Sequence, residues 1–288
     1  MEQNTDVTAT NTPSLQIPKA YLAYVKLLQT ISFSLAAREI RKRFFTPIPF
    51  PLPKRERPFI EESRRENLTV GDRQITLRTL GNSDKKILFI HGWSGRGSQA
   101  YAIAPALVEA GYEVTTITAQ AHGDNPGKRT HMLQFTDAIL AAAEHVGKVD
   151  TLIAHSIGGA AAFNALAGGL DVQKLVILGA PSSILDVIDD FCSRLNLDDR
   201  YRQYLAQYLR DNYSPDIEAL APRNLAKKMS VPGLIVHDKQ DIDVGFEQAE
   251  ALHKNWSNSK LILTEGLGHR RILSDEGVVQ AIVSFVRS

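Results

Sequence analysis

The sequence has a single cysteine, Cys192, in 288 residues. One thiol cannot form an internal disulfide or a thiolate zinc site, and nothing else points to an oxidising compartment, so a reducing cytoplasm is expected. Charge of one sign is also missing. The 33 Lys and Arg residues against 32 Asp and Glu leave a net charge of +1, with no long-range field to draw nucleic acid. Residues 1–14 hold two acidic side chains and no Lys or Arg, the opposite of a secretory signal's opening. An uninterrupted apolar run of the ~20 residues a bilayer requires is lacking too. The richest stretch, Ala20 to Ala37, is broken by Lys26, Gln29, Thr30, Ser32 and Ser34. Neither GxxxxGK[ST], nor GxGxxG at a strand-to-helix junction, nor HExxH occurs, so no nucleotide, other cofactor or metal is expected.

What is present begins with an amphipathic segment. Leu22, Val25, Leu28, Ile31 and Leu35 recur at helical spacing, and the basic cluster Arg38, Arg41, Lys42 and Arg43 follows. A helix packed on the rest of the chain or on another subunit is the plainer reading. Peripheral contact with an anionic membrane through residues 20–43 is the sharper one. Pro47, Pro49, Pro51, Pro53 and Pro58 then predict a stiff, extended connector without a helix. Residues 1–66 are thus expected to be an N-terminal helix and linker, with a compact domain over 67–288.

Within that domain apolar β-type runs alternate with helical stretches: KKILFIHG, YEVTTITA, VDTLIAHS and KLVILGAP, then PGLIVHD and SKLILTEG. Such alternation predicts a parallel sheet covered by helices on both faces. Between Ser182 and Val231 the rhythm stops and Leu-, Tyr- and Asp-rich helical material replaces it, which predicts a helical insertion over 182–231.

Three predicted strand ends carry reactive side chains. VDTLIAHS runs into Ser156, flanked two residues away on either side by Ala154 and Gly158 and followed by a helix of small residues. A serine nucleophile requires such a tight strand-to-helix turn, although the string alone also fits a serine that caps a helix. His269 follows SKLILTEG, at the sheet edge where ligand sites of open α/β sheets lie, and can serve as the base. The loop after PGLIVHD offers Asp238, Asp241 and Asp243. Asp241 is favoured because it lies a few residues past the strand end, with Asp243 the fallback. Backbone N–H groups of Ile157 and of Trp93, in the glycine-rich loop HGWSGRG, are the expected oxyanion donors. The other histidines near strand ends, His91, His122, His155 and His237, are expected to pack around the site.

The strings HGWSGRGS (91–98), AHGDNPG (121–127), AHSIGGAA (154–161), HDKQDIDV (237–244) and GLGHRRIL (266–273), in this order, resemble the α/β-hydrolase superfamily and its bacterial esterase-like members. The one departure is Ala154 where the family usually has glycine. The resemblance implies an α/β-hydrolase fold, an eight-stranded, mostly parallel sheet with a small helical cap, and a Ser156, Asp241, His269 triad. Serine at the nucleophile position disfavours the aspartate-dependent dehalogenases and epoxide hydrolases of this fold. The function expected is hydrolysis of small to medium acyl esters, with Phe191, Leu195 and Tyr204 of the cap on the substrate. Thioester or amide hydrolysis or acyl transfer by the same residues, or ligand binding without turnover, are the alternatives.

Overall fold

The computed structural model describes residues 17–288. The acidic opening segment, read above as lacking a secretory signal, lies outside the described residues. In place of one N-terminal helix there are two: α1 (Lys19–Ile31) and α2 (Phe33–Phe44). The break is at Ser32, whose backbone is extended. Thr30, Ser32 and Ser34 are poor helix formers whose hydroxyls compete for backbone groups, and Thr30 Oγ1 already donates to the Leu27 carbonyl at 2.7 Å. The basic cluster therefore lies inside α2 rather than beyond the helix. The connector also departs from expectation. A short helix α3 (Arg57–Glu62) forms with Pro58 in its first turn, where the missing N–H costs no intrahelical bond, and it buries Phe59.

β1 (Arg64–Val70) and β2 (Arg73–Leu80) form an antiparallel hairpin around Gly71 at φ +63°. β3 (Lys86–Ile90), β4 (Glu113–Thr118), β5 (Val149–His155), β6 (Val172–Leu178), β7 (Gly233–Asp238) and β8 (Ser259–Thr264) complete one eight-stranded sheet, ordered β1-β2-β4-β3-β5-β6-β7-β8. β2 meets β4 antiparallel, and every pairing beyond it is parallel. The connecting helices are α4 (Ile103–Glu109), α5 (Met132–Val146), α6 (Ile157–Ala167), α7 (Ile184–Arg194), α8 (Asp199–Asn212), α9 (Pro222–Leu225), α10 (Glu247–Asn255), α11 (Gly268–Arg271) and α12 (Glu276–Arg287).

Continuous apolar strands follow from burial on both faces. Leu88, Ile90, Leu152, Leu175, Ile177 and Ile235 pack with α5, α6 and α10, where Phe135, Phe163 and Trp256 are fully enclosed. Their strand neighbours Ile87, Phe89, Ile153, Val176, Leu178, Leu234 and Val236 pack the opposite way, with α4 and α12. A third cluster lies off the sheet. Val25, Ala36, Ala37 and Ile40 of α1 and α2 pack against Ile188, Cys192, Tyr201, Leu205 and Leu209 of α7 and α8 in the insertion. No described helix is long and apolar enough to cross a membrane.

Candidate active site

Ser156 sits between β5 and α6 with φ 55° and ψ −127°, a left-handed conformation that a non-glycine residue adopts at a cost of order 1–3 kcal/mol. The Ser156 N–H donates to the Leu178 carbonyl at 2.9 Å, tying the strained turn to β6. Small neighbours make the turn fit. A Cβ on Gly158 would stand 2.6 Å from the His91 carbonyl oxygen, and one on Gly92 would stand 2.7 Å from the Ser156 Cβ. Ala154 is fully buried, so the methyl group that departs from the family's glycine is accommodated.

His269 enters the site from α11, one turn after β8. Its Nε2 lies 2.9 Å from Ser156 Oγ and its Nδ1 lies 2.7 Å from Asp241 Oδ2. A carboxylate accepts at Nδ1–H, leaving Nε2 as the acceptor for the serine hydroxyl. Asp241 Oδ1 accepts the N–H groups of Asp243 at 2.9 Å and Val244 at 3.0 Å. Burial acts to raise the Asp241 pKa, but the hydrogen bonds and charge from His237, His269 and the Val244 N–H outweigh it, so the carboxyl is held well below the usual range.

The rival aspartates do other work. Asp238, fully buried, accepts from Gln240 N–H, Thr264 Oγ1 and Leu267 N–H, stitching the loop after β7 to the loop after β8. Asp243 Oδ1 lies 3.4 Å from Arg194 Nη1 of α7, a tie between loop and cap. Asp241, Asp243 and His269 could each offer one ligand atom to a cation within 4.8 Å of one another. His269 and Asp241 are already hydrogen-bonded to each other, so a cation there would compete with the histidine for its carboxylate.

The histidines set the loop geometry. His91 Nε2 accepts the Ala119 N–H at 3.0 Å while Nδ1 donates to the Gly92 carbonyl at 2.7 Å. His122 Nε2 accepts the Ser94 N–H at 2.9 Å while Nδ1 donates to the Gln120 carbonyl. Each ring needs one bare nitrogen, and burial keeps both neutral: His122 is pushed down to about 4, and His91 falls well below its usual value. Together they pin the loop 91–95 to the end of β4. Among the described residues no acceptor is found for the N–H of Trp93 or of Ile157, and both residues line the same cavity as Ser156. His155 Nε2 donates to the His269 carbonyl at 2.9 Å, which holds the backbone of His269 in place.

Above Ser156 lies a cavity of about 690 Å³. Ile184, Val187 and Phe191, one face of α7, line it from the cap. Leu195 and Tyr204 do not. Leu195 is the buried residue that ends α7, and Tyr204 faces Phe33 of α2 with ring centroids 6.2 Å apart. Sequence could not separate the two faces of the cap helices, because α7 and α8 are apolar toward the cavity and also toward α1 and α2. It missed a further wall altogether. Phe44, Phe45, Phe50, Pro51 and Pro53 line the same cavity. The proline-rich segment is fastened over the site: Ser94 Oγ accepts the Ile48 N–H at 2.8 Å, Arg96 donates to the Phe50 and Pro51 carbonyls, and the Arg270 guanidinium lies 5.0 Å over the Phe50 ring. Aromatics interleaved with prolines in FFTPIPFPLP were the available signal.

Residues 87–281 match the model of the alpha/beta hydrolase family, well over half of the chain. The chain belongs to that family. A curated relative, the pimeloyl-[acyl-carrier protein] methyl ester esterase of Neisseria meningitidis, is 22% identical over 244 residues, covering 70% of this chain and 93% of the relative. Among solved structures, an esterase from Exiguobacterium antarcticum superposes with a TM-score of 0.61 at 22% identity, over 78% of this chain and 100% of that one. A bromoperoxidase from Bacillus anthracis gives the same figures. Two different reactions carried by one fold at equal similarity leave the choice of chemistry to the site.

Proposed function

We propose that this family member is a serine hydrolase that cleaves carboxylic esters through an acyl-enzyme. The observation that carries the reading is the unbroken relay from Ser156 Oγ to His269 Nε2 at 2.9 Å and from His269 Nδ1 to Asp241 at 2.7 Å. In the first step the Ser156 hydroxyl proton passes to His269 Nε2 as Oγ bonds to the carbonyl carbon. Asp241, kept ionised by its hydrogen bonds, stabilises the imidazolium that results. The Trp93 and Ile157 N–H groups receive the oxyanion without having to break other bonds, which is what makes preorganised donors effective. Collapse of the tetrahedral intermediate expels the alcohol, which takes the proton from His269. Water then repeats the sequence and frees the acid.

A cavity of about 690 Å³ walled by Phe44, Phe45, Phe50, Phe191 and Ile184 suits a small to medium apolar acyl group. The curated relative's name, a methyl ester esterase, supports an ester over other acyl compounds. Hydrolysis of p-nitrophenyl esters from acetate to palmitate by the unaltered protein and Ser156→Ala tests the reading. Turnover peaking at one chain length and absent in the variant is expected. No turnover on any ester, despite labelling of Ser156 by a fluorophosphonate, would overturn it.

A further inference from the structure

The N-terminal helices bury only part of their apolar surface. Among the described residues eight large apolar side chains stand exposed, and all but Ile242 fall between residues 24 and 52. Tyr24, Leu27 and Ile31 are spaced i, i+3, i+7 on α1, at 45%, 57% and 62% exposure, so they share one face. On α2 the spacing puts Leu35, Arg38 and Lys42 on one face, while Ala36, Ala37 and Ile40 turn toward the cap. The two outward faces meet. Tyr24 and Leu35 border the same concave seam, of about 640 Å³, as Arg38, Arg41, Lys42 and Arg129.

Charge is segregated in the same place. Residues 19–44 carry six cations against the single acid Glu39, a net +5 in a chain whose total is +1. Glu39 itself lies 3.8 Å from Lys42. Thr130 also borders the seam, buried, with no hydrogen-bond partner for its hydroxyl.

We infer that the outer face of α1 and α2 docks on an anionic lipid bilayer. Leu27, Ile31 and Leu35 would enter the acyl boundary, and Arg38, Lys42 and Arg129 would lie against lipid phosphates, with the seam open to one headgroup. Apolar side chains rimmed by cations are what such a surface attracts. A second copy fits less well. In a two-fold pair this face would meet itself and bring two net-positive segments together. Phe45, His131 and Tyr213 border both the seam and the cavity above Ser156, so the docked face adjoins the catalytic cavity.

Co-sedimentation of the 288-residue chain with vesicles decides the matter. Binding to phosphatidylglycerol–phosphatidylcholine vesicles, release by high salt, and little binding to phosphatidylcholine alone are expected. Arg38→Glu with Lys42→Glu should weaken binding roughly tenfold or more, since each cation near an anionic surface contributes. Leu27→Gln with Ile31→Gln should weaken it by a similar factor while leaving the circular dichroism and melting transition in place, because both side chains are exposed. No sedimentation with anionic vesicles, or equal binding to both vesicle types, would overturn the inference. A concentration-dependent dimer by light scattering that Leu27→Gln with Ile31→Gln dissolves would overturn it too, by showing that a second copy covers the face.

Discussion

The parallel sheet and the N-terminal unit, residues 17–56, solve opposite problems. β3, β5, β6 and β7 bury both of their faces, so nearly every side chain there must be apolar and the pattern is constrained along its whole length. α1 and α2 bury one side on α7 and α8 and leave Leu27, Ile31 and Leu35 in the open. Yet both regions reach the same cavity, the sheet through Ser156 and the N-terminal unit through Phe44, Phe45 and Phe50. The proposed chemistry falls to the region whose geometry is over-determined. Part of the cavity's shape falls to the region that buries one side only.

Substitutions can break this division of labour. The largest effect is expected in the sheet-borne site, where Ser156→Ala or His269→Ala should lower kcat/KM by about 10⁴-fold or more without lowering the melting temperature, read by steady-state ester kinetics and calorimetry. Core truncations separate the regions by stability. Phe89→Ala should cost about 3–5 kcal/mol of global unfolding free energy, whereas Ile40→Ala should cost about 2–4 kcal/mol. Hydrogen exchange distinguishes the two further: Ile40→Ala should speed exchange in α2 and α8 and spare β5, and uniform acceleration would mean that the N-terminal unit folds as one with the sheet.

Protonation sharpens the comparison next. Burial lowers His122 to about 4 and His155 to about 3, from the ordinary value of 6.5. Between the ordinary and folded values the unfolded chain binds more protons, so stability is complete above about pH 6.5 and drains as pH falls toward 4. His122 contributes at most about 3 kcal/mol to that loss, because 1.36 kcal/mol accompanies each pKa unit. Urea midpoints should fall from pH 7 to pH 5, and less steeply in His122→Gln, which keeps an acceptor for Ser94 N–H while removing the titration. The smallest effect belongs to the proline-rich wall. Arg96→Ala, which frees the Phe50 and Pro51 carbonyls, should cost about tenfold in kcat/KM on the preferred ester, and Phe50→Ala should shift the preferred acyl group to a longer one by a few-fold.

The legibility of each region follows from its periodicity. Strand runs such as ILFI and LVIL declare themselves because both faces are buried, and the loops that follow them had to carry the reactive groups because strand ends converge at one sheet edge. Asp241 could be preferred to Asp238 by its distance past the strand. What Asp238 does instead, bonding to Thr264 and Leu267, involves residues 26 and 29 positions away that no local pattern links to it. The break at Ser32 and the helix at Pro58 escape a reading of apolar spacing and proline count, because neither records where in a turn a serine or a proline sits.

The sequence by itself determined the alternating architecture, its hydrophobic layers and the order Ser156, Asp241, His269 along the chain, because these follow from local spacing. Only the tertiary structure decided which faces of α7 and α8 meet the cavity, that Leu195 and Tyr204 turn away from it, and that the segment from Phe44 to Pro53 closes it. Those outcomes depend on contacts between residues far apart in the chain, and an apolar side chain is equally satisfied by any dry surface that the fold brings to it.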